Sequence, residues 1–325
     1  MTVKKKLIEL SKLILKLAIS GLLLYYFFRK SDFSTIHETV FSISFFSFVL
    51  VCIFFFVGIF FNAWKWFVLL PEQNIFYLFR ISVVSYFYAF ILPGQLFGEV
   101  SKILILRKNN ETEVIAASVL IDKITSIIGL LAIGVAGLFF SHTEYRMALL
   151  QFMIILLLLC LIFFIMSANT RLYNLMCTII RKPNISHKTF SDYREKLLFF
   201  LYSIHLYSRN YLALSFNILI GIGSQFIGIF SYWFITRQLG FSVSIADWCW
   251  IQATLSLALL LPVALGGIGL REGTLVVIMG WVGVIHEHSL STGLIISGLA
   301  LILALVGGIL ELFRIWTTVT PATSK

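Results

Sequence analysis

Leu92-Pro93-Gly94-Gln95-Leu96-Phe97-Gly98-Glu99-Val100-Ser101-Lys102 and Leu261-Pro262-Val263-Ala264-Leu265-Gly266-Gly267-Ile268-Gly269-Leu270-Arg271-Glu272 are two versions of one pattern. In each, Leu-Pro is followed by a glycine five residues after the proline and a cation nine residues after it. Both lie between apolar runs, where proline removes a helical hydrogen bond and glycine loosens the turn. Lipid offers no water to a freed backbone group, so such breaks persist only where protein or a wet cavity covers them. Paired breaks in corresponding halves of a membrane chain point to a transport site. The breaking residues are expected to be Pro93, Gly94 and Gly98 in the first hairpin, and Pro262, Gly266, Gly267 and Gly269 in the second.

The rest of the chain supplies the membrane. Of its 325 residues 59% are hydrophobic and 12% charged, about half the charge of an ordinary soluble domain. Apolar runs of about twenty residues recur, which fits helices and not the short alternating segments of a barrel. The fold expected is an all-α polytopic membrane protein with about six full spans plus two re-entrant broken-helix hairpins in an inverted repeat. The spans fall at about Leu7–Phe28, Ile43–Leu70, Val114–Phe140, Met147–Met166, Tyr211–Thr236 and Ser291–Trp316. The hairpins fall at about Ile75–Leu106 and Ala246–Val284. The three lysines before the first span read as an uncleaved signal anchor, because the apolar run continues to Phe28. Residues 1–325 form one integral domain: a first half to about 167, a basic loop over about 168–210, and a second half over about 211–316. That loop is too small for an ordinary catalytic domain, and Tyr173–Ile180 and Leu197–Tyr207 within it read as interfacial amphipathic helices.

Net charge is +10, and its placement fixes the expected orientation. Lys4-Lys5-Lys6, Arg107-Lys108 and the run from Arg171 to Arg209 belong on the cytoplasmic side, next to anionic headgroups. That proximity to lipid makes nucleic acid a poor partner for the basic loop. With both termini cytoplasmic, the first hairpin enters from the inside and the second from the outside. Arg29-Lys30 falls outside and runs against the scheme.

Charge within a span costs roughly 2.5–3.5 kcal/mol by insertion scales, so it survives only when paired, solvated or used. Glu99 and Lys102 are three residues apart on the returning arm of the first hairpin, and Arg271 and Glu272 hold the matching arm of the second. Asp122 and Lys123 lie within the following span, and Arg80 opens the first hairpin. Arg80, Glu99, Lys102, Asp122, Lys123, Arg271 and Glu272 are therefore the candidate substrate-binding residues. Two restarted helix N-termini plus these cations suit a phosphate-bearing headgroup. The plainer reading is that Glu99–Lys102 and Asp122–Lys123 pair off to make burial tolerable. Trp64, Trp66, Trp248 and Trp250 read as interfacial belts. His286-Glu287-His288 reads as solvated loop and the Asn184-Ile185-Ser186 sequon as cytoplasmic, so neither implies a metal or a glycan. The sequence carries no HExxH, GxSxG, Walker-type or dinucleotide signature, so no catalytic residue, metal or cofactor is expected.

At these residues the chain resembles the flippase-like family built on the transmembrane domain of lysylphosphatidylglycerol synthase. The likeness rests on Arg80 with Tyr86 and Tyr88, on Leu92-Pro93-Gly94, Gly98-Glu99 and Lys102, on Ala116 to Lys123, and on Leu261-Pro262 with Gly266 to Gly273. The family pattern has Gly-Gly-Asp and then arginine where this chain has Phe97-Gly98-Glu99 and Lys102, and arginine where Lys123 stands. The charges are kept, while arginine's bidentate grip on phosphate is given up. The resemblance implies a bacterial or archaeal inner-membrane protein that moves or handles lipids with anionic phosphate headgroups. Because the sequence stops at Lys325, a stand-alone member without the soluble synthase domain is expected. Stand-alone members look like partners of glycan or polyprenyl-phosphate pathways. The resulting expectation is a lipid translocase; the alternative is a membrane subunit or scaffold of a lipid-modifying enzyme or glycosyltransferase.

Overall fold

A computed structural model describes residues 18, 20–22, 25–27, 29, 32–92, 96–107, 111–182, 188–264 and 266–319. The regular elements among them are all helices: α1 Phe33–Phe41, α2 Phe45–Leu69, α3 Ile75–Ile91, α4 Leu96–Leu106, α5 Thr112–Phe140, α6 Arg146–Ala168, α7 Thr170–Arg181, α8 Lys188–Arg209, α9 Tyr211–Gln238, α10 Ile245–Leu259, α11 Leu270–Gly280 and α12 His286–Val319. Polar loop residues set several starts by accepting the first free N–H groups. Ser44 Oγ accepts from Ser47 at α2, Asn74 Oδ1 from Phe76 and Tyr77 at α3, and Ser244 Oγ from Asp247 at α10.

Among the described residues, five helices (α2, α5, α6, α9 and α12) are long and apolar enough to cross a membrane. They match five of the expected spans, and the sixth lies largely outside the described residues. α3 and α10 are 17 and 15 residues long, roughly 26 and 22 Å, which falls short of a hydrocarbon core of about 30 Å. α4 and α11, at 11 residues each, reach roughly 16 Å. Each expected hairpin is thus two short helices where a span would be one long one.

The breaks themselves differ from the expectation. Gly266, Gly267 and Gly269 have φ of +58°, +78° and +82°, a region that glycine enters without a Cβ clash. Pro262 sits in the exposed turn after α10. Gly98, expected at a break, is instead inside α4. A Cβ there would stand 2.7 Å from the Ser85 carbonyl oxygen and 2.9 Å from Ala89 Cβ, so its work is to let α4 lie against α3. Pro93 and Gly94 fall outside the described residues, as does the Asn184–Ser186 sequon.

Helix pairings follow an exchange rule. α2 packs on α9; α3 packs on α12 as α10 packs on α5; α4 packs on α5 as α11 packs on α12; α1 packs on α12 as α8 packs on α5. Two of these seams are closed by glycine. A Cβ on Gly137 of α5 would stand 2.5 Å from the Ala246 oxygen, and one on Gly307 of α12 would stand 2.5 Å from the Val83 oxygen. Lipid gives helices no hydrophobic drive to associate, so close backbone approach at small residues has to supply contact.

Three tryptophans expected at interfaces are core residues. Trp66, Trp248 and Trp250 are buried and only Trp64 is exposed. Their indole N–H groups donate to Ser118 Oγ (3.1 Å), Thr236 Oγ1 (3.4 Å) and Ser141 Oγ (3.2 Å), which makes burial tolerable. His286–His288 is likewise no loop: it forms the first turn of α12, with His288 stacked on Phe241 at 4.6 Å.

Candidate functional site

A cavity of about 330 Å³ lies where α2, α3, α4, α5, α9, α10, α11 and α12 converge. The hairpins meet beside it, for a Cβ on Gly266 would touch the Phe90 ring at 2.8 Å. On one wall, Glu99 and Lys102 share a face of α4 because i and i+3 residues do. Glu99 Oε2 is 2.9 Å from Lys102 Nζ, and Oε1 is 3.7 Å from Lys123 Nζ on α5. One carboxylate therefore restrains both lysines. Lys102 also lies over the Trp66 ring, 5.3 Å from its centroid.

Asp122 does not pair with its neighbour Lys123. Adjacent residues on a helix point about 100° apart, and Asp122 turns toward α2, where its Oδ1 is 3.0 Å from Lys65 Nζ. Lys65 is fully buried and also donates to the Asp122 carbonyl and to Ser126 Oγ. Asn217 of α9 closes this knot: its Nδ2 donates to the Lys65 carbonyl at 2.7 Å and reaches Asp122 Oδ1 at 3.4 Å, while Thr125 Oγ1 donates to its Oδ1. The knot ties α2, α5 and α9 together behind the cavity.

The second hairpin contributes Arg271, buried at 6% exposure. Its Nη1 donates to Ser297 Oγ at 2.8 Å and its Nη2 approaches the Gly266 carbonyl at 3.5 Å. No carboxylate lies within 4.0 Å of its guanidinium among the described residues. Glu272 is not a cavity residue. It is fully buried, accepts the Gly269 N–H at 2.6 Å and accepts a hydrogen bond from the Ser297 hydroxyl, so it caps α11 and reaches Arg271 only through that hydroxyl.

Arg80, expected in the site, is in the seam between α3 and α12, where its Nη2 donates to the Leu310 carbonyl at 3.1 Å. Beside it Glu311 accepts from Tyr88 (2.7 Å) and from Arg314 (2.6 and 2.7 Å). That cluster fastens the two helices and does not line the cavity.

Of the seven expected residues, Glu99, Lys102, Asp122, Lys123 and Arg271 line one cavity. The repeated cation nine residues past each proline, Lys102 and Arg271, thus reaches the same space from two hairpins. Lys65, Asn217 and Ser297 were not anticipated as site residues; a polar side chain inside an apolar run was the available signal. Gln252 of α10, also unanticipated, lines the cavity too. The described residues hold no cluster of three or more His, Cys, Asp or Glu able to bind a metal. Chemically the site is a cationic pocket with its carboxylates already engaged, suited to an anion.

The family model for the lysylphosphatidylglycerol synthase TM region matches residues 13–308. No curated protein and no solved structure matches the chain. Matched over that length, a chain whose paired breaks deliver Lys102 and Arg271 to one cavity belongs to the lysylphosphatidylglycerol synthase TM region family.

Proposed function

We propose that this protein is a lipid translocase that takes a phosphate-bearing headgroup, of a phospholipid or a polyprenyl-phosphate-linked lipid, into the cavity between its two hairpins. The observation that carries this is Arg271, buried without a carboxylate partner and facing the same cavity as Lys102 and Lys123. A buried guanidinium left uncompensated is costly unless an anion completes it, and phosphate oxygens match its fork. The Glu99 carboxylate spanning Lys102 and Lys123 acts as the resident counter-ion that an incoming phosphate displaces. Acyl or prenyl tails remain in lipid while the headgroup crosses. The exchange rule in helix pairing supports an internal repeat and the placement of basic residues supports its inversion, with halves that tilt about the α2–α9 contact to open the cavity to either leaflet. Basic residues of α7 and α8 and of Lys4–Lys6 support a plasma-membrane orientation with both termini cytoplasmic. Translocation breaks no bond, so the reading needs no catalytic residue.

The test is lipid scrambling in proteoliposomes with tail-labelled lipids, comparing wild type with the Lys102→Gln/Arg271→Gln double variant. Wild type is expected to move an anionic lipid faster than empty liposomes, and the double variant to lose that excess. Folded wild type that moves no lipid of an anionic panel sinks the proposal.

A further inference from the structure

Among the described residues, none from α6, α7 or α8 lines the hairpin cavity, yet the corner these helices form has a chemistry of its own. α6 ends at Ala168 and α7 begins at Thr170, joined by Asn169 alone, whose φ of −76° and ψ of 112° are extended. An extended residue between two helices turns the chain, so α7 departs from the axis of the span. Asn169 Oδ1 accepts from the Arg171 and Leu172 N–H groups and starts the new helix. The Ser167 carbonyl, left free at the end of α6, accepts from His205 Nδ1 of α8 at 2.7 Å, and Tyr173 of α7 stacks on that imidazole at 4.6 Å. Three helices thus fix the corner.

At 100° per residue α7 divides into three faces. Tyr173 and Cys177 share the one turned to α8, where Tyr173 also meets Tyr202 and Cys177 is buried. Leu175, Met176 and Ile179 share the second and are 55%, 41% and 57% exposed. Arg171, Asn174, Thr178 and Arg181 share the third, with Lys182 just past the end, and all are exposed. Residues 170–182 hold three cations, Arg171, Arg181 and Lys182, and no acidic residue. α8, which the sequence also offered as interfacial, differs: its Ser203, Ile204, His205 and Ser208 are buried, and it packs on α5 and α6.

We infer that α7 lies in the plane of the membrane and docks on an anionic lipid surface, with Leu175, Met176 and Ile179 in the acyl boundary and Arg171, Arg181 and Lys182 among the headgroups. α6 is long and apolar enough to span, and its Ile165 and Met166 are exposed about one turn before the corner. The end of α6 therefore brings α7 to the membrane surface, where the apolar stripe continues the lipid-facing side of the span. The stripe has no aromatic anchor of the kind that concentrates energy at a protein interface. An apolar face beside a basic one is instead the pattern of an interfacial helix. Each basic residue near an anionic surface strengthens binding about fivefold, so a stripe of only Leu175, Met176 and Ile179 depends on the charge of the leaflet for its depth. Arg171 and Lys182 stand at opposite ends, roughly 16 Å apart along the axis, and their stems spread along the surface with the charges in the headgroups.

Spin labels in the full-length protein test this, in a background with Cys52, Cys160, Cys177 and Cys249 replaced. Ile179→Cys and Thr178→Cys are compared in vesicles of phosphatidylcholine alone and of phosphatidylcholine mixed with phosphatidylglycerol. In the mixed vesicles the Ile179→Cys label is expected roughly 5–10 Å into the headgroup–acyl boundary, open to oxygen and closed to a water-soluble nickel complex. The Thr178→Cys label is expected to show the reverse. Leaving out phosphatidylglycerol should raise the Ile179→Cys label toward water. Arg171→Gln/Arg181→Gln/Lys182→Gln should lose that dependence on lipid charge. High salt, which screens the same charges without a substitution, should reproduce the loss. An Ile179→Cys label that meets the nickel complex in both vesicles overturns the docking, as does one shielded from both reagents, which marks a protein contact. Equal depth with and without phosphatidylglycerol overturns the assignment to anionic lipid. None of these readouts involves lipid transfer, so the translocase reading stands or falls separately.

Discussion

Lys65 is the most exacting residue in the molecule, because a fully buried ammonium must be neutralised from within. Asp122 does this at 3.0 Å, and Asn217 bonds to both the Lys65 backbone and the Asp122 carboxylate. Removing one partner strands a charge, which costs about 3–5 kcal/mol, whereas replacing both with apolar groups is often neutral. Asp122→Asn should therefore lower stability by about that amount, and Lys65→Met/Asp122→Leu should regain most of it. Unfolding in mixed detergent micelles measures both, and a double variant as unstable as the sum of its singles would contradict the pairing. This pair was not legible in the sequence. Lys65 and Asp122 are 57 residues apart, and the neighbour Lys123 offered itself as the obvious partner. Only the direction in which α5 turns Asp122 toward α2 decides between them. Gln252 was hidden for a similar reason, since one amide in an apolar arm reads the same whether packed or facing a cavity. The cations Lys102 and Arg271 were legible, because each is tied to a proline by a fixed spacing.

At the scale of elements, the spans were local events and could be read directly. Helix lengths follow from where proline, glycine and polar caps fall, and α2, α5, α6, α9 and α12 all appeared within a few residues of expectation. What glycine does inside a helix was not readable. Gly137 and Gly307 sit against carbonyl oxygens of α10 and α3, with 2.5 Å to a would-be Cβ, whereas Gly298 on α12 has nothing within 4 Å. The two roles share one letter. Alanine at Gly137 or Gly307 must push helices apart, and is expected to destabilise by roughly 1–3 kcal/mol. Alanine at Gly298 meets no such obstacle and should stabilise by about 0.5–1 kcal/mol through helix propensity. Thermal unfolding of the three variants in one detergent compares them. Equal effects at all three sites would remove close packing as the reason for Gly137 and Gly307. The same logic explains the misread tryptophans: belts and cores both use Trp, and the serine or threonine that satisfies each indole comes from elsewhere in the chain.

For the whole molecule, what matters is whether the two halves are related by inversion. The exchange of α1–α5 with α8–α12 conserves most of the helix pairings, the contacts of α5 with α2 and α9 excepted, yet pairings alone are equally compatible with two halves pointing the same way. Charge decides for inversion in our reading. The basic run from Arg171 to Arg209 lies between the two hairpins in sequence, and by the positive-inside rule we propose it on the cytoplasmic side. α9 then carries the chain outward, so the second hairpin enters from the face opposite the first. The connections before the two hairpins should lie on opposite sides of the membrane. Glu72, between α2 and α3, and Ser242, between α9 and α10, are both exposed and mark those connections. In a background with Cys52, Cys160, Cys177 and Cys249 replaced, Ser242→Cys should react with an impermeant maleimide on intact cells. Glu72→Cys should react only after permeabilisation. Labelling of both from one side would make the repeat parallel. A parallel repeat would bring both hairpins in from one leaflet, leaving no symmetric route by which the cavity could open to the other.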